Sequence, residues 1–278
     1  MAAKQPRELA EIVQLQPGRH RTPEDGVCAM ELVAWMAGEK HSDHPVTASP
    51  VIASFIPQFN DALSAEHRHR LAAMTPRMID SRGMREQEFE RGRLLWNWMI
   101  ESAVPTWLGA AQRQDLAALV CRHRGDALET VMGVIDVYGH APVRPVDDHR
   151  TAVAVSAALA VSGTSSAYRA RMDVSDDGGV SRARRRWEAA RTVARAAAWH
   201  VAEADCQPEH EAGTSRLWRT AECLRESAFV LLDRLLAVTE TRAGEEHAAS
   251  VEVFQIPQPS SVAIDARDDA AAVLTPAS

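Results

Sequence analysis

Apolar residues recur at spacings of three and four along almost the whole chain, and alternating apolar and polar positions are scarce. A spacing of this kind is typical of amphipathic helices, whereas alternation would indicate strands. We predict about nine helices, at residues 24–37, 50–62, 65–80, 84–104, 113–124, 126–138, 147–170, 181–204 and 214–241. The pattern therefore predicts an all-α fold, a single-domain multi-helix bundle.

Prolines and glycines predict where these helices begin and end. Pro23 is expected to open the first helix and Gly38 to close it, since proline suits the first turn and glycine the position after the last. Pro105 is expected to end the helix that contains the tryptophans of "LLWNWMIESAV". Pro57 and Pro76 fall inside periodic segments, so those helices should be kinked or broken there.

Composition divides the chain into three parts. Residues 1–21 are predicted to be an N-terminal extension, 22–244 the helical domain and 245–278 a mostly disordered tail. The tail holds six acidic residues and one arginine, a net charge of −5, and little that a core would bury. Residues 173–182, "DVSDDGGVSR", are predicted to form a loop inside the domain.

The last two helices carry long apolar stripes. Small and apolar side chains three and four residues apart are far more typical of a bundle core than of a cofactor site. The stripes are Trp187, Ala190, Ala194, Ala197 and Val201, then Leu217, Ala221, Leu224, Ala228, Leu231 and Leu235. We also expect the tryptophans at 96, 98 and 107 to belong to the core.

Glu31 is the one carboxylate in the apolar segment "GVCAMELVAWMAG", residues 26–38. No face of residues 27–37 is polar, so the whole helix is expected to be buried, with Glu31 inside it. A buried carboxylate must be paired, or its pKa must rise until it is neutral. A partner for Glu31 is therefore expected nearby.

The loop that follows this helix, "EKHSDHPVTASP", carries His41, Asp43 and His44. Three interpretations remain open. A histidine here could simply hydrogen-bond Glu31, or Glu31, Asp43 and the histidines could form a catalytic acid/base site. Alternatively, the three loop residues with Glu31 or Cys28 could bind a metal, although H-x-D-H matches no specific metal-ligand spacing.

Other polar side chains are candidates for binding a substrate. Arg77 and Arg82 could hold an anionic group through paired hydrogen bonds. Asp61 and Trp35 complete the predicted substrate-binding set. For Asp80 and Arg82, a salt-bridged connection between helices is the favoured alternative.

The segment from residue 22 to 83 resembles a family of actinobacterial and phage-encoded proteins. Their shared pattern is C-x-M-E-x-V-A-x-x-A-G-E-x-H-S-D-H-P, followed by an N-D pair and a P-R pair. The corresponding residues of this chain are Cys28, Met30, Glu31, His41, Ser42, Asp43, His44 and Pro45, then Asn60-Asp61 and Pro76-Arg77. The resemblance supports the site and names no reaction.

The charge of the chain argues against nucleic acid as a partner. The net charge is −7, with 29 arginines but only two lysines, and the short basic runs lie on predicted helices. The four cysteines form no CxxC pair, and no apolar run is long enough for a membrane span. We expect a reduced, cytoplasmic protein with no membrane partner.

Phosphate-loop, hydrolase-elbow and dinucleotide-binding motifs are missing from the sequence. We therefore expect no cofactor and a small-molecule enzyme of actinobacterial specialised metabolism. Proton abstraction would drive elimination or intramolecular cyclisation, as in aziridine formation, with loss of a sulfate- or phosphate-like group. The alternatives are a non-catalytic helical interaction protein, perhaps a complex subunit, and a metal-binding protein that uses the H-x-D-H loop.

Overall fold

The computed structural model describes Ala10 and residues 13–139, 177–205 and 216–240. Within these ranges the chain is helical and contains no strand, which confirms the all-α prediction. In chain order the helices are α1 (Ala29–Met36), α2 (Pro50–Ala62), α3 (Ala65–Met74), α4 (Arg85–Trp98), α5 (Val104–Ala110), α6 (Gln114–His123), α7 (Leu128–Gly139), α8 (Asp177–Asp205) and α9 (Arg216–Glu240). The predicted helix at 147–170 and the tail at 245–278 lie outside the described residues.

The two long helices organise the core. Helix α8 packs on α5 and α7, and α9 packs on α4 and α5. Every residue of the two predicted apolar stripes is buried, as are Trp98 and Trp107. Phe59 joins α2 to this core through an edge contact with Phe229 of α9, with ring centroids 4.9 Å apart. The stripes are therefore core, as predicted.

Helix α1 begins five residues later than the sequence suggested. Pro23 does not open it, because Thr22 and Asp25 form a turn and Gly26 follows with a φ of +130°. Cys28 is the N-cap, and Glu31 at the third helical position accepts from the Cys28 backbone N–H.

The C-terminus of α1 agrees with the prediction. Gly38 has a φ of +71°, and its N–H donates to the Trp35 carbonyl while Glu39 N–H donates to the Ala34 carbonyl. These two bonds form a Schellman motif, which needs a left-handed residue at this position. The prediction that the whole helix is buried was wrong, because Trp35 is 45% exposed.

Two other boundaries differ from the sequence predictions. Pro105 does not end its helix, because a π-helical turn at Met99–Ala103 shifts the register and places proline in the first turn of α5. The predicted loop at 173–182 is wrong over its second half, since α8 begins at Asp177. Pro76 does interrupt a helix, because α3 ends at Met74 and a 3₁₀ turn spans Thr75–Met78. Helix α2, in contrast, continues through Pro57.

A buried ion pair ties α4 to α9. Arg91 donates from Nη1 to Glu88 at 2.9 Å and from Nε to the Leu235 carbonyl at 2.8 Å. The other oxygen of Glu88 accepts from the Ser49 hydroxyl at 2.6 Å, at the N-terminus of α2. Both charges are therefore buried with hydrogen-bond partners, which offset the cost of removing them from water.

No helix in the described ranges has the length and apolar character needed to cross a membrane.

Candidate functional site

Glu31 is fully buried and its carboxylate binds the segment that precedes α1. Oε1 accepts from the backbone N–H of His20 at 2.8 Å. Oε2 lies 2.8 Å from Nδ1 of the His20 ring and also 2.8 Å from the backbone N of Cys28. The buried carboxylate is thus held by several donors, and the partner that the sequence left unnamed is His20.

These contacts keep Glu31 ionised. Burial by itself would raise the pKa of Glu31, but hydrogen bonds from the Cys28 and His20 backbone N–H groups and from the His20 ring together lower it. A carboxylate that is ionised and already accepts several hydrogen bonds is a poor proton acceptor. The lowered pKa and the hydrogen bonds show Glu31 as an acceptor for the segment that precedes α1.

The first histidine of the predicted loop also reaches this cluster. Nε2 of His41 lies 3.2 Å from the His20 carbonyl oxygen and 3.8 Å from Oε1 of Glu31. A carbonyl oxygen only accepts, so a hydrogen bond here requires a proton on Nε2 of His41, and a neutral ring protonated at Nε2 has its lone pair on Nδ1. That Nδ1 atom is buried and has no hydrogen-bond partner among the described residues.

Asp43 lies at the rim of the same cluster. Its Oδ1 atom is 3.5 Å from Nε of Arg19, which is mostly exposed to solvent and precedes His20 in the chain. At this distance the contact is an ion pair and not a hydrogen bond, and Oδ1 is a second buried acceptor without a hydrogen-bond donor. Buried polar atoms are usually paired, so two acceptors left open in one loop call for an explanation.

Both loops that form the cluster are held in place by other side chains. Glu39 closes the loop of His41 and Asp43, because its two carboxylate oxygens accept from the backbone N–H groups of Val46 and Thr47 at 2.6 and 2.7 Å. These two bonds hold the ends of the loop together, with His41 and Asp43 half-buried between them.

The segment that carries His20 is pinned from α2 and α3. Asp61 accepts from the Gly18 backbone N–H at 2.6 Å, and Asn60 donates to the Gln16 carbonyl at 2.8 Å. Arg68 donates from Nε to the Leu15 carbonyl at 3.1 Å. The Asn60-Asp61 pair thus belongs to the same structure as Glu31, and residues 13–21 of the predicted extension contact the helical domain.

Five of the predicted site residues make no described contact with Glu31, His41 or Asp43 in the structure. Arg77 binds Asp233 of α9 at 2.5 Å, and Arg82 donates to the Val46 carbonyl at 3.0 Å. His44 and Trp35 are exposed, and Asp61 acts on the backbone at Gly18. The structure therefore brings together Glu31, His41 and Asp43 of the predicted set, and adds His20 and Arg19.

The Cys28 thiol is buried at the N-cap of α1. Burial and the charge of Glu31 raise the pKa of its thiol to about 12, so the reactive thiolate is scarce at neutral pH.

In the part of the chain that the structure describes, the group with metal-ligand spacing is His67, Glu222 and Glu226. Both carboxylates are already paired with arginines, Glu226 with Arg70 at 2.7 Å and Glu222 with Arg225. The group is an ion-pair junction between α3 and α9.

The protein is all-α in its described residues, and two histidines and two carboxylates form its candidate site. A search of family models, of curated proteins and of solved structures found no match to this chain.

Proposed function

We propose that this protein is a cofactor-independent enzyme that removes a proton from a small molecule, with His41 as the base. The observation that carries the proposal is the pair of buried, unpartnered acceptors, Nδ1 of His41 and Oδ1 of Asp43. A buried polar atom without a partner is uncommon and a catalytic role is one explanation for it, since a base keeps a lone pair free for the proton that it removes.

The rest of the cluster holds the base in its working state. The His20 carbonyl and Glu31 both face Nε2 of His41, so the proton stays on that nitrogen and the lone pair stays on Nδ1. When His41 accepts a proton, the imidazolium lies 3.8 Å from an ionised carboxylate that stabilises the positive charge. Glu31 and His20 are positioning residues in this scheme.

The reaction class follows from what the site can supply. Proton removal leaves an electron pair on carbon or nitrogen. That pair forms a double bond or closes a ring as the bond from carbon to an oxygen of sulfate or phosphate breaks, and the electrons of that bond leave with the anion. In this scheme Arg19, exposed beside Asp43, would bind such an anion, a role predicted from the sequence for Arg77 and Arg82.

A panel of small sulfate and phosphate monoesters tests the proposal. The purified protein should release inorganic sulfate or phosphate from a member of the panel. His41→Gln should abolish release. Arg77→Gln, which removes the surface ion pair between Arg77 and Asp233, is the control and should leave release unchanged. Failure of the whole panel, or release that persists in His41→Gln, would overturn the assignment.

A second function is favoured by a different observation. Glu31 accepts hydrogen bonds from the backbone N–H groups of Cys28 and His20, and these bonds stabilise the fold whether or not the protein is an enzyme. In a non-catalytic interaction protein the cluster would have only this role. His41→Gln would then leave every measured property except stability unchanged.

A further inference from the structure

We infer that His67, Glu222 and Glu226 bind one divalent transition-metal ion, such as zinc, at the ion-pair junction between α3 and α9. None of these side chains belongs to the Glu31 cluster, and no step of the proposed reaction uses the ion. Its role is structural, because ligands from two helices that are distant in sequence would be joined through one ion.

The spacing of the ligand atoms fits a single ion. Nε2 of His67 lies 3.3 Å from Oε1 of Glu222 and 4.0 Å from Oε1 of Glu226. One ligand atom from each residue lies within 4.8 Å of the other two. A tetrahedral zinc ion with bonds of about 2.0–2.2 Å separates its ligand atoms by about 3.3–3.6 Å. Small rotations of the two glutamate side chains therefore close the set around an ion.

Helical periodicity brings the two carboxylates together. Glu222 and Glu226 are four residues apart on α9, so they lie one turn apart on the same face of that helix. His67 lies in the first turn of α3, which packs there against α9. An imidazole nitrogen and two carboxylate oxygens are ligands that zinc accepts, and they leave a fourth position for water.

The ring of His67 is oriented by the N-terminus of its own helix. Its Nδ1 atom lies 2.6 Å from the hydroxyl oxygen of Ser64, the N-cap of α3. When Nδ1 carries the ring proton and donates it to that oxygen, Nε2 presents its lone pair toward the two carboxylates. Metal-bound histidines commonly hold their other ring nitrogen in this way, which fixes the tautomer that the metal needs.

The arginines of the junction hold the carboxylates and leave room for an ion. Arg225 donates to Oε2 of Glu222, so Oε1 is the oxygen that faces His67. Nη1 of Arg70 lies 2.7 Å from Oε2 of Glu226 and 2.9 Å from Oε1, and a carboxylate oxygen has a second lone pair. These pairs correspond to the outer hydrogen bonds that orient carboxylate ligands at metal sites.

Solvent access allows an ion to enter. The side chains of Glu222 and Glu226 are 46% and 49% exposed, and that of His67 is 21% exposed. Arg70 and Arg225 balance the charges of the two carboxylates, so a bound dication adds net positive charge, which water screens at these exposed positions. The affinity should therefore be lower than that of a buried structural zinc site.

Titration of zinc into the metal-free full chain tests the inference. Calorimetry at neutral pH should show saturable binding of about one equivalent, and zinc should raise the melting temperature. His67→Gln should weaken zinc binding by about tenfold or more and cancel this rise. The matched control is His69→Gln, which replaces an exposed histidine of the same helix and should leave both measurements unchanged.

Two further measurements separate metal binding from folding and locate the site. Without zinc, the circular dichroism spectrum of His67→Gln should match that of the wild type, so that lost binding is not lost fold. Glu222→Gln, at a half-exposed position, should weaken zinc binding as His67→Gln does. A wild type that binds no zinc, binding that survives in His67→Gln and Glu222→Gln, or binding that is lost in His41→Gln instead would overturn the inference.

Discussion

At the scale of single residues, Glu31 explains how one short motif builds a site. A carboxylate at the third position of a helix faces back toward the residues before the helix, where free N–H groups are found. The Glu31 carboxylate accepts a hydrogen bond from the Cys28 backbone N–H, which caps α1. It also contacts the backbone N–H and the ring Nδ1 of His20. The cluster is thus organised from the N-terminal side of α1, and the loop of His41 closes over it.

Replacing the Glu31 carboxylate by an amide tests this role. Glu31→Gln places an NH₂ group against donors that need an acceptor, so it should lower the free energy of unfolding by about 1–3 kcal/mol while the fold is kept. Glu86→Gln, on an exposed residue of α4, is the control and should change it by less than about 0.5 kcal/mol. Urea unfolding followed by circular dichroism measures both. Equal effects of the two changes would show that the contacts of Glu31 add no stability.

The pH dependence of stability should report the same carboxylate. Its pKa is lowered in the folded protein, so its contribution is complete above the unfolded value of about 4.3 and is lost as the pH falls toward the folded pKa. The stability gap between wild type and Glu31→Gln should therefore stay constant from neutral pH down to about 4.3 and shrink below it. Urea titrations across this range measure the gap, and a gap that widens on acidification would contradict the assignment.

The sequence predicted part of this cluster and missed the rest for a physical reason. A buried carboxylate in need of a partner could be read from the apolar surroundings of Glu31. His20 was missed because its pairing depends on a turn that brings residues 16–20 back against α1, and this turn is fixed by contacts with Asn60, Asp61 and Arg68. The position of Glu31 was the signal that could have indicated a partner before the helix. Glu31 is the third residue of a helix that begins at Ala29, and a side chain at that position contacts the residues that precede the helix.

At the scale of helices, the buried pair of Glu88 and Arg91 joins three elements. Glu88→Ala would leave Arg91 charged and buried and would remove the acceptor of the Ser49 hydroxyl, so it should destabilise by about 3–5 kcal/mol. Glu90→Ala in the same helix breaks a half-exposed pair with Arg93 and should cost about 0.5 kcal/mol or less. Thermal and urea unfolding of the two variants give the comparison. A loss of less than about 1 kcal/mol for Glu88→Ala would show that the pair does not hold these elements together.

Helix boundaries followed the sequence where local chemistry alone decides them. Ser49 and Pro50 start α2, and Gly38 follows α1 in the left-handed conformation. The helix end predicted at Pro105 was wrong. The π-helical turn before it places Pro105 in the first turn of α5, where the missing N–H of proline costs no helical hydrogen bond. Such a turn depends on packing between helices, which no local pattern records.

At the scale of the whole molecule, the N-terminal segment is structurally continuous with the helical domain. Leu15 is buried in the core, and the Gln16 N–H donates to the Val27 carbonyl at 2.9 Å. The segment therefore packs on the helical domain and carries His20, the partner of Glu31.

Deletion of residues 1–21 should consequently destabilise the protein. It removes the buried side chain of Leu15 and leaves Glu31 buried without its His20 donors, a combined loss of at least about 3 kcal/mol. Deletion of residues 1–9 is the control, because every contact described above comes from residue 13 or later. Calorimetry of both truncations measures the difference. Similar melting temperatures for both would contradict the structural role of this segment.

The central claim is that the cluster fixes the proton of His41 on Nε2 and leaves Nδ1 open as the base. Two-dimensional NMR that correlates the ring nitrogens of ¹⁵N-labelled histidine with their carbon-bound protons reads the tautomer directly, and His41→Gln assigns the signals. At a pH where the ring is neutral, we predict a protonated Nε2 and an unprotonated Nδ1 for His41. A proton on Nδ1 would contradict it.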